Sequence, residues 1–231
     1  MREQRSLFDT ILGLLFPERC AGCLRLGELL CPTCRATVRA YPDDHYKVTA
    51  LSGVQIGFVF DGPLREAIHQ LKYQRRKRVA RPLGALLTDR LLLRAFPAEA
   101  LIPVPLHVSR QAERGFNQAE ELAHGIIQRM PMPIITSGLT RIRATEQQAQ
   151  LDARMRKQNT DGAFVWQGAE PPPKRALLVD DVLTTGATLS ACATALRAAG
   201  AQEVYAIALA RSLPPSESRD HGPGVRNALA S

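Results

Sequence analysis

The chain is poor in aromatic residues. Phenylalanine, tyrosine and tryptophan make up 5% of its 231 residues, with one tryptophan in all. An extended base-stacking platform for single-stranded nucleic acid is therefore not indicated. Long apolar runs are missing too. The stretch LFDTILGLLF at 7–16 is interrupted by Asp9 and has no small-residue cleavage site after it. It is also too short to span a bilayer. It reads as a short amphipathic helix packed on the body, and a cytoplasmic protein with no transmembrane segment is the simplest expectation. The chain contains neither Gly-x4-Gly-Lys-Ser/Thr nor Gly-x-Gly-x-x-Gly. That excludes a Walker A loop and a dinucleotide fingerprint. No internal repeat is visible.

What is present allows a folded core. Hydrophobic residues make up 45% of the chain, which argues against global disorder. Lysine and arginine exceed aspartate and glutamate by eight, and the sequence pI is about 9.7. This balance fits a polyanionic partner, either nucleic acid or a polyphosphate ligand. A soluble protein with a basic surface is the plainer alternative.

Four of the five cysteines fall in CAGCLRLGELLCPTC, as Cys20, Cys23, Cys31 and Cys34. Two Cys-x2-Cys pairs this close read as a zinc site, since each pair forms a knuckle and two knuckles complete a tetrahedron. Disulfides are the competing reading, and a cytoplasmic location argues against them. Four thiolates leave no open coordination position, so the Zn2+ role is structural. Cys192, among alanines, reads as a small core residue.

Residues 1–40 are expected to form an N-terminal helix and the cysteine module, joined through AYPDDHY to a main domain at 47–211. Residues 212–231 are expected to be a disordered tail. Strand patterns at GVQIGFVF, LIPVPL, PIITSGL, GAFVW, ALLVD and EVYAIALA alternate with helical ones, including GPLREAIHQLKY, FNQAEELAHGIIQRM and TLSACATALRAAG. The expected fold is α/β with a parallel sheet, its ligand crevice beyond the carboxyl ends of the strands.

ALLVDDVLTTGATL at 176–189 concentrates the chemistry. The strand is expected to end at Val179, with Asp180 and Asp181 emerging beyond it and a loop at 182–187 feeding a helix near Thr188. Backbone N–H groups at such a helix start favour phosphate. Thr184, Thr185 and Thr188 add hydroxyl donors, and Gly186 permits close approach of the backbone. Carboxylates repel phosphate but accept hydrogen bonds from vicinal hydroxyls. The pattern suits a sugar phosphate.

LLVDDVLTTGATL resembles the phosphoribosyl-pyrophosphate signature of type I phosphoribosyltransferases. IPVPLHVSRQAERGFNQAEELA resembles the corresponding segment of the ComF/GntX branch, which also carries an N-terminal four-cysteine zinc finger. The resemblance implies a type I phosphoribosyltransferase fold with a small zinc-finger module. It implies that Asp180 and Asp181 are catalytic carboxylates holding the ribose 2- and 3-hydroxyls. The substrate loop would comprise Val182, Leu183, Thr184, Thr185, Gly186, Ala187 and Thr188, with its 184–188 portion on the 5-phosphate. Pyrophosphate would lie on the loop after IPVP, with Arg110, Arg114 and Gly115. Lys72 would reach a phosphate or remain a solvated surface residue. Asn117 and Gln118 would cap a helix or line the site. Mg2+ would come with phosphoribosyl pyrophosphate, held mainly by ligand oxygens. The polar stretch 143–161 is a candidate lid, with Gln147, Gln148, Arg154 and Asn159 as contacts.

Two functional classes follow. One is a phosphoribosyltransferase moving ribose 5-phosphate to an unidentified nitrogen nucleophile. The other is a non-enzymatic nucleic-acid-handling protein that keeps the phosphoribosyl pyrophosphate pocket, with single-stranded DNA as partner. RRKR at 75–78, the cysteine module and the family's link to DNA uptake and utilisation favour the second.

Overall fold

The computed structural model describes residues 17–42, 46–91, 96–143 and 162–213. The expected N-terminal helix at 7–16, most of the candidate lid and nearly all of the tail lie outside the described residues. The elements run in the order α1 (Pro32–Thr37), β1 (Gly53–Val59), α2 (Gly62–Tyr73), a 3-10 turn (Lys77–Val79) and α3 (Ala80–Leu91). After these come β2 (Ala100–Pro103), α4 (Val108–Arg114), α5 (Gln118–Ile126), β3 (Leu139–Arg141), β4 (Phe164–Trp166), β5 (Arg175–Leu183), α6 (Ala187–Ala198) and β6 (Glu203–Arg211).

Four strands form a parallel sheet in the order β1-β6-β5-β2. β3 and β4 form a separate antiparallel ribbon. The central strands are buried on both faces, as parallel strands covered by helices must be. On one face Leu101, Leu177, Val179 and Leu209 pack with the apolar stripes of α2, α3 and α5. On the other, Ile102, Leu178, Ala206 and Ala208 pack with α6 and the β3–β4 ribbon.

Helix α2 follows from its sequence. Pro63 occupies the first turn, where its missing N–H costs nothing. Leu64, Ile68 and Leu71 recur at helical spacing and are buried. α3 and α5 cross at a pair of glycines. A Cβ on Gly84 would come within 2.3 Å of Leu122 O, and one on Gly125 within 2.4 Å of Arg81 O. Only residues without a side chain allow this backbone approach.

Three expectations change. β5 does not stop at Val179. Its pairing with β6 continues through Asp180–Ala208, Val182–Ala210 and Leu183–Arg211. Burying Leu183 keeps the ladder going past the acids. PIITSGL is not a full strand, because only Ile134 bridges β2, at Leu101. The AYPDDHY stretch is more than a linker where it is described. Ala40 bridges Phe58 and the Tyr41 N–H donates to Gly57 O at 3.0 Å, extending the edge of β1.

Candidate functional site

β5 and α6 build the centre of the site. The turn between them is only Thr184-Thr185-Gly186, with both threonines exposed. Gly186 is the N-cap of α6 at φ +79°, a left-handed conformation that favours glycine. A Cβ there would also meet Val48 Cγ2 at 2.7 Å. Thr185 Oγ1 accepts from the Ala187 N–H at 3.4 Å. The first turn of α6 therefore starts at the carboxyl edge of the sheet, next to the acid pair.

The two acids are not equivalent. Successive strand residues face opposite sides of a sheet. Asp181 is buried, 3% exposed, and its Oδ2 lies 2.9 Å from Lys72 Nζ on α2. Burial opposes the charge on Lys72, but the Asp181 carboxylate overrides this and raises the ammonium's pKa. Asp180 is partly exposed and faces the side of Arg141 and Cys192. Burial, then the neighbouring Asp181 charge, pushes Asp180 up to about 7, against the pull of Lys72. Asp180 Oδ1 accepts from the Asp181 N–H at 2.8 Å.

The loop after β2 reaches α4, which ends at Gly115 with φ +82°. Asn117 ties the loop down. Its Oδ1 accepts from the Ala119 N–H at 3.0 Å, capping α5, while its Nδ2 donates to Val104 O at 3.0 Å. Asn117 thus caps α5 and also lines the cavity beside the loop. Arg114 donates to Gln118 Oε1 and lies 5.9 Å from the centroid of the Tyr73 ring. Arg110 is close enough to Arg141 that their charges repel. A cavity of about 230 Å³ opens beside this loop, lined among others by Pro105, Gln111, Glu120, Thr140 and Arg141. Arg141 was missed by sequence reasoning. It sits on β3 with its guanidinium 5.4 Å from the centroid of the Phe164 ring. Burial, with Arg110 adding to it, lowers its pKa.

The four cysteines form the second site. Their sulfurs all lie within 4.8 Å of one another, and Cys23 Sγ is 3.7 Å from Cys31 Sγ. Cys20 Sγ accepts from the N–H groups of Gly22 at 3.4 Å and Cys31 at 3.3 Å. Burial would raise the Cys20 thiol, but these backbone donors win and bring it down to about 6. Burial and the neighbouring sulfurs raise Cys34. A cluster that stabilises one thiolate and penalises further uncompensated charge suits a bound metal cation. None of the five cysteines is in a disulfide, and Cys192 is buried in α6. Cys20, Ala21, Leu30 and Cys34 share one core with Leu64 and Ile68 of α2.

The RRKR stretch is engaged within the molecule. Arg75 donates to Glu113 O and Arg76 to Gln70 Oε1 and Arg19 O. Arg78 pairs with Glu18, and Lys77 Nζ lies 2.8 Å from Glu121 Oε1.

A parallel α/β sheet carrying an acid pair and a threonine–glycine turn into a helix defines a phosphoribosyltransferase-type domain, and the phosphoribosyl transferase domain model matches residues 112–223. The similarity extends to whole proteins. Competence protein F of Haemophilus influenzae is 36% identical over 161 residues, 65% of this chain and 69% of that one. DNA utilization protein YhgH of Escherichia coli is 32% identical over 203 residues, covering 84% and 89%. Competence protein ComFC of Streptococcus pneumoniae is 25% identical over 192 residues, covering 81% and 83%. The chain belongs to the ComF family of phosphoribosyltransferase-like proteins. No helix among the described residues is long and apolar enough to cross a membrane.

Proposed function

We propose that this protein binds phosphoribosyl pyrophosphate at the carboxyl edge of the sheet and acts in DNA uptake or utilisation. The observation that carries the reading is the junction of β5 and α6, where an acid pair, two exposed threonines and a left-handed glycine meet a helix N-terminus. Phosphate suits the 184–188 turn, through backbone N–H groups and threonine hydroxyls. Ribose hydroxyls suit the carboxylates. Arg110 and Arg141 supply positive charge for pyrophosphate, and Arg114 and Gly115 shape the loop that carries it. Mg2+ would come with the ligand and supply further positive charge for the pyrophosphate, alongside Arg110 and Arg141.

Transfer would break the anomeric carbon–pyrophosphate bond and form a bond to a nitrogen nucleophile. Asp180 would stabilise the positive charge developing on the ribose, and the arginines the departing pyrophosphate. Calorimetric titration with phosphoribosyl pyrophosphate and Mg2+ tests binding. The Asp180→Asn/Asp181→Asn variant is expected to lose it, and unchanged binding would refute the site. Pyrophosphate release, screened across purines, pyrimidines and nucleic acids, separates an enzyme from a binder.

The metal reading is Zn2+. With metal–sulfur bonds of about 2.3 Å, a tetrahedral site has sulfur–sulfur edges of about 3.8 Å. The Cys23–Cys31 separation of 3.7 Å supports this. DNA utilisation rests on the names of the relatives and on the basic balance of the chain. A salt titration of single-stranded DNA binding tests it, since phosphate-dominated binding weakens steeply with salt.

A further inference from the structure

Lys72 ends the apolar stripe of α2, one residue after the fully buried Leu71. Its side chain is 17% exposed and the Asp181 side chain 4%. An ammonium and a carboxylate this buried are costly unless they meet, and here they meet at 2.9 Å. The pair joins α2 to the acid-bearing end of β5. Asp180, on the other face of β5, keeps partial exposure. The groups bearing on the acids are Lys72 from α2, Arg141 from β3 and Cys192 from α6, with Arg110 of α4 beside Arg141 and Tyr73 beside Lys72.

We propose that Lys72 is a positioning residue for the acid pair, anchoring Asp181 inside the fold so that Asp180 is the carboxylate presented to the ligand. This rests on the phosphoribosyl pyrophosphate reading of the site. It divides labour between two acids that look interchangeable in the sequence. Asp181 is an internal counter-ion and Asp180 the acceptor for ribose hydroxyls. The charge on Lys72 also pulls the Asp180 carboxyl down, so removing it leaves burial and the Asp181 charge unopposed there.

The test follows carboxyl titration directly, by 13C resonances of Asp180 and Asp181 in the full chain without ligand. Lys72→Met is expected to move the titration of Asp180 upward by about one pH unit or more, and Lys72→Arg to restore it. Phosphoribosyl pyrophosphate affinity at neutral pH is expected to fall about tenfold or more in Lys72→Met, a loss that shrinks as pH is raised. A purely structural lysine would lose affinity without that pH dependence. Unchanged carboxyl titration in a folded Lys72→Met protein overturns the proposal. Should that variant fail to fold, Lys72→Met/Asp181→Asn removes both charges and is expected to be more stable than Asp181→Asn alone. A double variant no more stable than Asp181→Asn overturns it as well. If the unmodified protein does not bind phosphoribosyl pyrophosphate, the proposed function fails, while the titration still decides whether Lys72 controls the pair.

Discussion

Burial and the charge of Asp181 push the Asp180 carboxyl up to about 7. Hydrogen bonds donated by ribose hydroxyls favour its ionised form. Binding of phosphoribosyl pyrophosphate is therefore coupled to loss of a proton from Asp180. Its ionised share falls from about nine-tenths at pH 8 to about one-tenth at pH 6. Where the ionised form binds far more tightly than the neutral one, apparent affinity drops by up to about tenfold over that interval, and about half a proton is released per ligand at pH 7. Calorimetry in buffers of different ionisation enthalpy counts that proton. The phosphates of the ligand titrate near this range themselves, so the comparison is with Asp180→Asn, which removes the carboxyl and keeps the ligand. Equal pH slopes and equal proton release in the two proteins would refute the reasoning. The same shift affects folding. Between the ordinary carboxylate value and about 7 the folded state holds a proton that the unfolded state gives up, so the contribution of this group to stability grows as pH falls through 7.

Gly125→Ala places a Cβ 2.4 Å from Arg81 O and forces α3 and α5 apart, so a loss of about 1–3 kcal/mol is expected in urea unfolding. Stripping the metal with a chelator leaves the thiols of Cys20, Cys31 and Cys34 in a core shared with Leu64 and Ile68, with the exposed Cys23 outside it; a lowered Tm is expected, with one metal per chain lost by elemental analysis. Asn117→Ala removes the α5 cap and the tether to Val104, expected to cost about 1–2 kcal/mol in thermal or urea unfolding. Asn117→Ser retains a neutral cap acceptor but is too short to donate to Val104, so a drop in phosphoribosyl pyrophosphate affinity in that variant isolates the tether.

What was legible in the sequence was local. Two Cys-x2-Cys pairs and an acid–hydroxyl–glycine turn after an apolar run each declare themselves within fifteen residues. The sidedness of the acids was also there to be read: Leu177, Val179 and Asp181 alternate with Ala176, Leu178 and Asp180. An acid pair after an apolar run nonetheless reads as the end of a strand, since charge usually stops a buried ladder, whereas Val182 and Leu183 carry it on beside β6. Arg141 had no local signal. It is one arginine in a polar stretch, and its place in the site comes from β3 folding back against β4 beside the loop after β2. Lys72 was assigned to a phosphate or to solvent, since nothing near it in sequence announces a partner on β5.

RRKR at 75–78 bears most directly on how such a protein would meet nucleic acid. A basic run read alone suggests a polyanion surface. In the fold, Arg75 and Tyr73 reach α4, Arg76 and Arg78 reach Glu18 and Arg19 beside the first cysteine, and Lys77 reaches Glu121 on α5. With Lys72 on Asp181, consecutive residues at the end of α2 connect the metal site, the loop after β2 and the acid pair. Arg76→Ala/Arg78→Ala is therefore expected to act first on the joint. Each partly exposed pair contributes about 1 kcal/mol or less, so the Tm should fall modestly, while metal is lost faster to a chelator because Glu18 no longer holds the knuckle against the turn. Glu18→Gln separates clamp from patch. It loosens the same joint and takes the carboxylate from Arg78, while Arg76 keeps Gln70 and Arg19, so affinity for single-stranded DNA should rise modestly and its salt dependence steepen. Were RRKR a free binding surface, the arginine variant would lose DNA affinity with unchanged metal retention, and Glu18→Gln would leave both the Tm and the chelation rate as they were.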